Sequence, residues 1–337
     1  MTPPFFVGPG SVGRNVEMIQ WAESVGYDDV WLADSGGIDA LTLAGLVLDR
    51  TQRIRVGIAV VPAYTRTPAV FAATAATLSD VAPGRFALGL GTSSQAMIEG
   101  WHGMTLDRPV VRMRETVELI RAMLAGEKTA FEGQTLRSNG YRQPPIAGDV
   151  PILLAALGPR MVELATEVAD GVILNMVPVS ALERLLSQVE DGIDRAGRDR
   201  ADVEVCSRFQ VMVTDDPAAA RDAFRFRFTP YFANPVYNDF LASNGFAAEA
   251  AALNAARTKG DWKAARAALT DELVDEIAVI GTREHCHQRV SSVIEVGVTT
   301  PMLFCLSEDP DIQRHTYAAF TPEQFDGTAW QVRGGEL

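Results

Sequence analysis

Cysteine is scarce. Cys206, Cys286 and Cys305 are the only three in 337 residues, too few and too scattered for a disulfide framework or a zinc ribbon. Lysine is equally rare, with Lys128, Lys259 and Lys263 the whole set, so nearly every cation is an arginine. Positive charge is in deficit, since 30 Lys and Arg face 43 Asp and Glu for a formal net charge of -13. That balance argues against nucleic acid or an anionic membrane surface as a partner. An anionic ligand must then be held by a local arrangement of arginines or backbone donors. No apolar run approaches the roughly 20 residues that span a bilayer, and residues 1–10 show no basic segment followed by an apolar one. The expectation is a cytoplasmic protein with no membrane and no nucleic-acid partner.

What is present is enough for a sizeable core, with 47% hydrophobic and 22% charged residues. Short β-rich runs alternate with helical patterns. Strands are expected at 5–7, 29–33, 54–61, 85–90, 151–155, 171–174, 203–214 and 299–306. Helices are expected at 11–25, 39–50, 68–81, 108–125, 159–168, 180–195 and 283–296. A hairpin is expected around Gly133, and a long alanine-rich helical segment interrupts the rhythm at about 215–280. Alternation of this kind implies parallel strands joined by right-handed crossovers. Eight such units favour an α/β fold of the TIM (β/α)8-barrel type, read as one domain over residues 1–337 with a helical insertion. In that architecture the chemistry sits in the loops at the C-terminal ends of the strands.

Several strand-end residues stand out. Gly158-Pro159-Arg160 leaves a strand and opens a helix, so its amides and its guanidinium could hold a phosphate, or the glycine and proline could simply make the turn. Gly89-Leu-Gly91-Thr92-Ser93-Ser94 lacks the third glycine of a dinucleotide fingerprint; it either lets a ring or phosphate approach the backbone or is an ordinary flexible loop. Asp34 lies just past a strand and is a candidate hydrogen-bonding or acid-base carboxylate, or else a cap or ion-pair partner. His102, within Trp101-His-Gly103, is a candidate acid-base group or a structural histidine. His285 and His287 flank Cys286, but residues two apart on a helix point apart, so no metal site is expected. Phe224, Phe226 and Phe228, alternating with Arg225 and Arg227, read as a buried strip within the inserted segment rather than a nucleic-acid stacking surface.

The chain also contains Ala22-Glu-Ser-Val-Gly-Tyr-Asp-Asp-Val-Trp-Leu-Ala-Asp34, Arg53-Ile-Arg-Val-Gly57, Tyr64-Thr-Arg-Thr-Pro-Ala-Val70 and Pro83-Gly-Arg-Phe-Ala-Leu-Gly-Leu-Gly91. Glu99-Gly-Trp-His-Gly103, Gly158-Pro-Arg-Met-Val-Glu-Leu-Ala165 and Ala169-Asp-Gly-Val-Ile-Leu-Asn175 follow. Taken together and in this order they resemble the bacterial luciferase-like monooxygenases and reductases. The resemblance is to the branch using the deazaflavin coenzyme F420, such as methylenetetrahydromethanopterin reductase. It implies a hydride-transferring oxidoreductase acting on a small molecule, with coenzyme F420 as cofactor and FMN as the alternative. An FMN-dependent two-component monooxygenase and a non-catalytic flavin-binding barrel are the rival functions, and a homodimer is implied. The phosphate would sit near Ala156, Leu157, Gly158, Pro159 and Arg160. The ring would sit near Asp34, Ala59, Val60, Gly91, Thr92 and Ser93, with Asn175 completing the cofactor set and a non-proline cis peptide between Ala59 and Val60. Two departures matter: Asp34 is followed by Ser35 where sugar-phosphate and secondary-alcohol dehydrogenases carry histidine, and Ser94 stands where they carry glutamate. His102, with Glu99 and Asp34, is therefore expected to supply the acid-base chemistry.

Overall fold

A computed structural model describes residues 3–7, 11–34 and 36–325. In chain order the first elements are β1 (Phe5–Val7), α1 (Val12–Ser24), β2 (Asp29–Leu32), α2 (Ala40–Arg50), β3 (Arg55–Ile58), β4 (Val61–Pro62), α3 (Pro68–Val81) and β5 (Phe86–Gly91). A π-helical turn, Ala96–Trp101, precedes α4 (Pro109–Leu124), the hairpin β6 (Ala130–Glu132) and β7 (Arg137–Asn139), β8 (Ile152–Ala155), α5 (Pro159–Val168), β9 (Gly171–Asn175) and α6 (Val179–Ala196). Then come β10 (Glu204–Val213), α7 (Pro217–Phe232), α8 (Pro235–Ser243), α9 (Ala247–Thr258), α10 (Trp262–Ala267), α11 (Asp271–Ile277), β11 (Ala278–Gly281), α12 (Arg283–Val296), β12 (Thr300–Cys305) and α13 (Pro310–Ala318). The sequence sets these boundaries locally. Ser11, Asp39 and Thr67 cap α1, α2 and α3 by accepting from the amides of Arg14, Thr42 and Val70, and prolines open α3, α4 and α5 where a missing N–H costs nothing.

Two compact bodies are distinguished; among the described residues, one takes those up to Ile173 with Gln188–Cys206, the other Leu174–Ser187 with those from Ser207 to Phe325. In the first, parallel pairing runs β1-β2-β3-β5-β8-β9. All six residues of β5 are buried, as expected for a strand covered on both faces. In the second, β10 pairs in parallel with β11, Gln210 opposite Ala278 and Val213 opposite Gly281.

At the N-terminal ends of the strands in the first body, Asp29, Arg55 and Glu204 open β2, β3 and β10 and form an ion triad. Arg55 Nη2 lies 2.6 Å from Asp29 Oδ2 and 2.8 Å from Glu204 Oε1, and Nη1 donates to Glu204 Oε2 at 3.0 Å. The guanidinium also lies 5.4 Å from the centre of the Trp31 ring, whose Nε1 donates to Asp29. Gly57 makes room for that indole, because a Cβ there would lie 2.5 Å from it. Burial pushes the Asp29 carboxyl above its ordinary range despite the pull of Arg55, and its Oδ1 has no partner among the described residues.

Glu115 of α4 closes the β6–β7 hairpin. Its carboxylate accepts from the amides of Gln134, Thr135 and Leu136 and from the Thr135 hydroxyl. Burial opposes the charge, but these donors outweigh it and hold the carboxyl below the usual glutamate value. A depressed carboxyl contributes stability above its unfolded pKa of about 4.3, lost as pH falls through the lower folded value. Glu115→Gln is therefore expected to cost about 1–3 kcal/mol near neutrality and to flatten the acid limb of the stability curve. Urea midpoints at pH 7 and pH 4 check this, and an unchanged acid limb would refute it.

Three sequence expectations are corrected here. The single strand at 54–61 is two, β3 and β4, separated by a cis peptide between Ala59 and Val60. The alternating phenylalanines lie on a helix rather than forming one buried strip. On α7, residues four apart share a face, so Phe224, Phe228 and Phe232 are buried while Phe226 is 67% exposed. Arg266 lies over the Phe226 ring at 4.7 Å. The segment at 215–280 is five helices, α7 to α11, and β11 directly after them is a strand that the sequence reading missed.

Candidate active site

The C-terminal ends of β2, β3, β5 and β8 gather most of the candidate residues in the first body. The cis peptide implied by the resemblance is present at Ala59–Val60. Val60 crosses over the end of β5, where a Cβ on Gly91 would lie 2.5 Å from Val60 Cγ2, so only glycine admits this approach. Thr92 follows, and Ser93 takes a left-handed backbone with φ 61° while its hydroxyl donates to Met97 Sδ at 3.2 Å. Small residues thus border the floor that these strand ends form.

Asp34 is half-buried. Burial raises its carboxyl above the ordinary range, Arg66 pulls the other way, Asp39 adds to the rise, and the charge of His102 also reaches it. Arg66 lies 3.0 Å from Asp34 and pairs as well with Asp39, the cap of α2. Arg66 was not singled out from the sequence, although it sits in the Tyr-Thr-Arg run. His102 ends the π-helical turn and is exposed. Trp101 beside it leans across the loop after β2, since a Cβ on Gly36 would lie 3.4 Å from its ring. The tryptophan-histidine pair is thereby brought to the loop that carries Asp34, while Ser35 lies outside the described residues.

Glu99 is placed differently from the acid expected. One of its oxygens accepts from Gln95 Nε2 at 2.8 Å and the other from the Leu106 amide at 3.3 Å, so the carboxylate ties its own loop together. Asn175, at the end of β9, belongs to the second body. Its Nδ2 donates to the hydroxyls of Tyr231 and Tyr237.

Beyond β8, the Ala156 amide is used by Ile173 O at 3.0 Å. The amides of Leu157, Gly158 and Arg160 have no partner among the described residues. Gly158 caps α5 with extended backbone and no side-chain hydrogen bond, and a Cβ there would meet nothing within 4 Å. Open space, unpaired N–H groups, the positive end of a helix and the exposed Arg160 side chain coincide, which is the donor set a phosphate needs. A cavity of about 590 Å³ borders α3 and residues 141–148; none of these candidates lines it, so it is not their binding space.

The luciferase-like monooxygenase family model matches residues 3–300. The chain belongs to this family. A 5,10-methylenetetrahydromethanopterin reductase of Methanolobus tindarius is 31% identical over 297 residues, covering 87% of this chain and 90% of that protein. Among solved structures, the coenzyme F420-dependent tetrahydromethanopterin reductase of Methanopyrus kandleri aligns with a TM-score of 0.78 at 20% identity, covering 100% of this chain and 98% of that one. The oxygenating component of a diketocamphane monooxygenase of Pseudomonas putida, a complex with FMN, aligns with a TM-score of 0.67 at 15% identity, covering 96% and 98%. These likenesses show the fold, and the TIM-barrel class expected from strand-helix alternation holds. Luciferase-like enzymes of this fold include both deazaflavin and FMN users, so the fold does not choose the cofactor. No helix among the described residues is long and apolar enough to cross a membrane.

Proposed function

We propose that this luciferase-like enzyme transfers a hydride between reduced coenzyme F420 and a small organic acceptor. The observation that carries the cofactor reading is the open, amide-lined start of α5 with Arg160, in the same body as the glycine-bordered floor at Ala59, Val60 and Gly91. Relationship to the archaeal reductase favours deazaflavin over FMN. When bound, the deazaflavin supplies a two-electron carrier that passes hydride rather than activating oxygen. Arg160 and the amides of Leu157, Gly158 and Arg160 would hold its phosphate. Ala59, Val60, Gly91, Thr92 and Ser93 would bear the ring, their small side chains allowing face-on approach. Asp34, its carboxyl raised by burial and paired with Arg66, and His102 at the loop above would hold or move the proton that accompanies the hydride.

Titrating the purified protein with reduced F420 and with reduced FMN tests the reading. Saturable deazaflavin binding with no oxygen-consuming FMN turnover is expected; the reverse pattern would establish the monooxygenase instead. Charge-assisted phosphate contacts contribute about 1.5–3 kcal/mol. Arg160→Ala should therefore weaken cofactor affinity about ten- to hundred-fold with the unfolding transition unchanged. Equal affinity in the variant would remove the α5 turn from the phosphate site.

A further inference from the structure

The loop between β2 and α2 carries a carboxylate at each end, and one guanidinium reaches both. Arg66 comes from the turn between β4 and α3. Its Nη1 lies 3.0 Å from Asp34 Oδ2, and its Nη2 pairs with Asp39 Oδ2. Between the two carboxylates, Gly36 and Gly37 take left-handed backbone with φ 99° and 92°, a bend that few other residues would allow. The two carboxylates are committed differently. Asp39 spends its other oxygen on the α2 cap, where Oδ1 accepts from the Thr42 amide at 2.7 Å. Asp34 has no second duty of this kind, since its Oδ1 meets no partner among the described residues.

They also differ in how much they need the cation. The Asp34 side chain is 15% exposed and that of Asp39 44%. A carboxylate withdrawn from water depends on its partner more than one that water still solvates. Burial raises the Asp34 carboxyl and Arg66 opposes the rise, while the charge of Asp39 adds to it and that of His102 favours ionisation. At Asp39 burial is outweighed by the Thr42 amide and then by Arg66, so its carboxyl lies below the ordinary range. Asp39 thus acts on Asp34 in two ways. It repels the second negative charge directly, and it takes one arm of a fork that could otherwise pair with Asp34 through both.

We propose that Arg66 and Asp39 are positioning residues for Asp34, the guanidinium pinning Oδ2 so that Oδ1 is left as the acceptor for substrate or cofactor, and Asp39 setting how firmly the pin is made. The inference rests on the hydride-transfer reading, because the part of Asp34 in that reaction is what the pair governs. Both residues act through Asp34 and not on the reacting atoms.

The test follows the Asp34 carboxyl by carbon-13 NMR against pH in the full chain without cofactor, its resonance assigned by its loss in Asp34→Asn. Arg66→Gln should move the Asp34 midpoint up by about one pH unit or more. Arg66→Lys, which keeps the charge without the fork, should move it less. Asp39→Asn should move it down, because asparagine keeps the α2 cap while a negative charge is lost. A second arm reads single-turnover hydride transfer from reduced deazaflavin across the same pH range, and its pH dependence should move in the same direction as the midpoint in each variant. An Asp34 midpoint that stays in place in Arg66→Gln, or that fails to fall in Asp39→Asn, overturns the proposal. So does a rate lowered equally at every pH, which is the mark of a structural role. Should Arg66→Gln not fold, Asp39→Asn carries the comparison with its opposite sign. If the unaltered chain passes no hydride from the deazaflavin, the hydride-transfer reading fails by itself, and the NMR midpoints still decide whether Arg66 and Asp39 govern Asp34.

Discussion

Arg55→Ala is expected to lower the stability of the folded chain by about 3–5 kcal/mol, because it removes the cation shared by the carboxylates that open β2 and β10. Arg55 is the shared partner of Asp29 and Glu204 and also covers Trp31. The pH dependence gives a second signature. The Asp29 carboxyl is already raised by burial, with Arg55 opposing the rise. Loss of the guanidinium moves it further up, so the folded variant favours the neutral form more than the unfolded chain does. A group with a raised folded pKa takes up a proton on folding, and stability then increases as pH falls. The deficit of Arg55→Ala should therefore shrink on acidification from pH 7 towards pH 5. Urea unfolding across that range measures it, and a loss below about 1 kcal/mol at pH 7 would mean that the two carboxylates do not depend on Arg55 for compensation.

The second large effect is expected at His102. If its imidazole handles the proton that accompanies the hydride, His102→Ala should slow turnover by about a hundred-fold or more while sparing affinity for the deazaflavin. The structural ground is that His102 follows Trp101, which rests on Gly36, and that its charge reaches Asp34. Single-turnover measurements separate the roles. Normal single-turnover rates with weakened cofactor binding would make His102 a residue that positions the ring.

Much of the scaffold was legible because its signals are local. Ser11, Asp39 and Thr67 announce their helices through side chains that reach three residues forward, and alternation of strand and helix leads directly to parallel pairing. Where the signal is ambiguous, the reading failed. An apolar run at 54–61 has the composition of one strand, and its interruption depends on the peptide geometry at Ala59–Val60. Three phenylalanines two apart read as one buried strip in the helical segment, yet α7 turns Phe226 outward. β11 follows a helix with no intervening turn residue and was absorbed into the helical stretch.

At the site, Asp34, Gly91 and Gly158 to Arg160 could be found from sequence because each stands at the end of its own strand. Arg66 could not, since its meaning comes from Asp34, 32 positions away. Tyr231 and Tyr237 likewise acquire a role only by meeting Asn175, 56 and 62 positions earlier. Glu99 looked like an acid in its segment, and only the folded loop shows both of its oxygens already engaged.

Trp31 and Trp101, two of the five tryptophans in the chain, differ in a way light would register. Trp31 is 0% exposed and lies against a cation, whereas Trp101 is 63% exposed on the loop beside Asp34. Emission from the first should be blue-shifted and change only when the strands come apart. Emission from the second should be red-shifted, open to collisional quenchers, and dimmed by energy transfer to a yellow ring bound nearby. With phenylalanine in place of the other three tryptophans, the chain would carry separate optical reporters for its integrity and for the occupancy of its candidate site, without any label being attached.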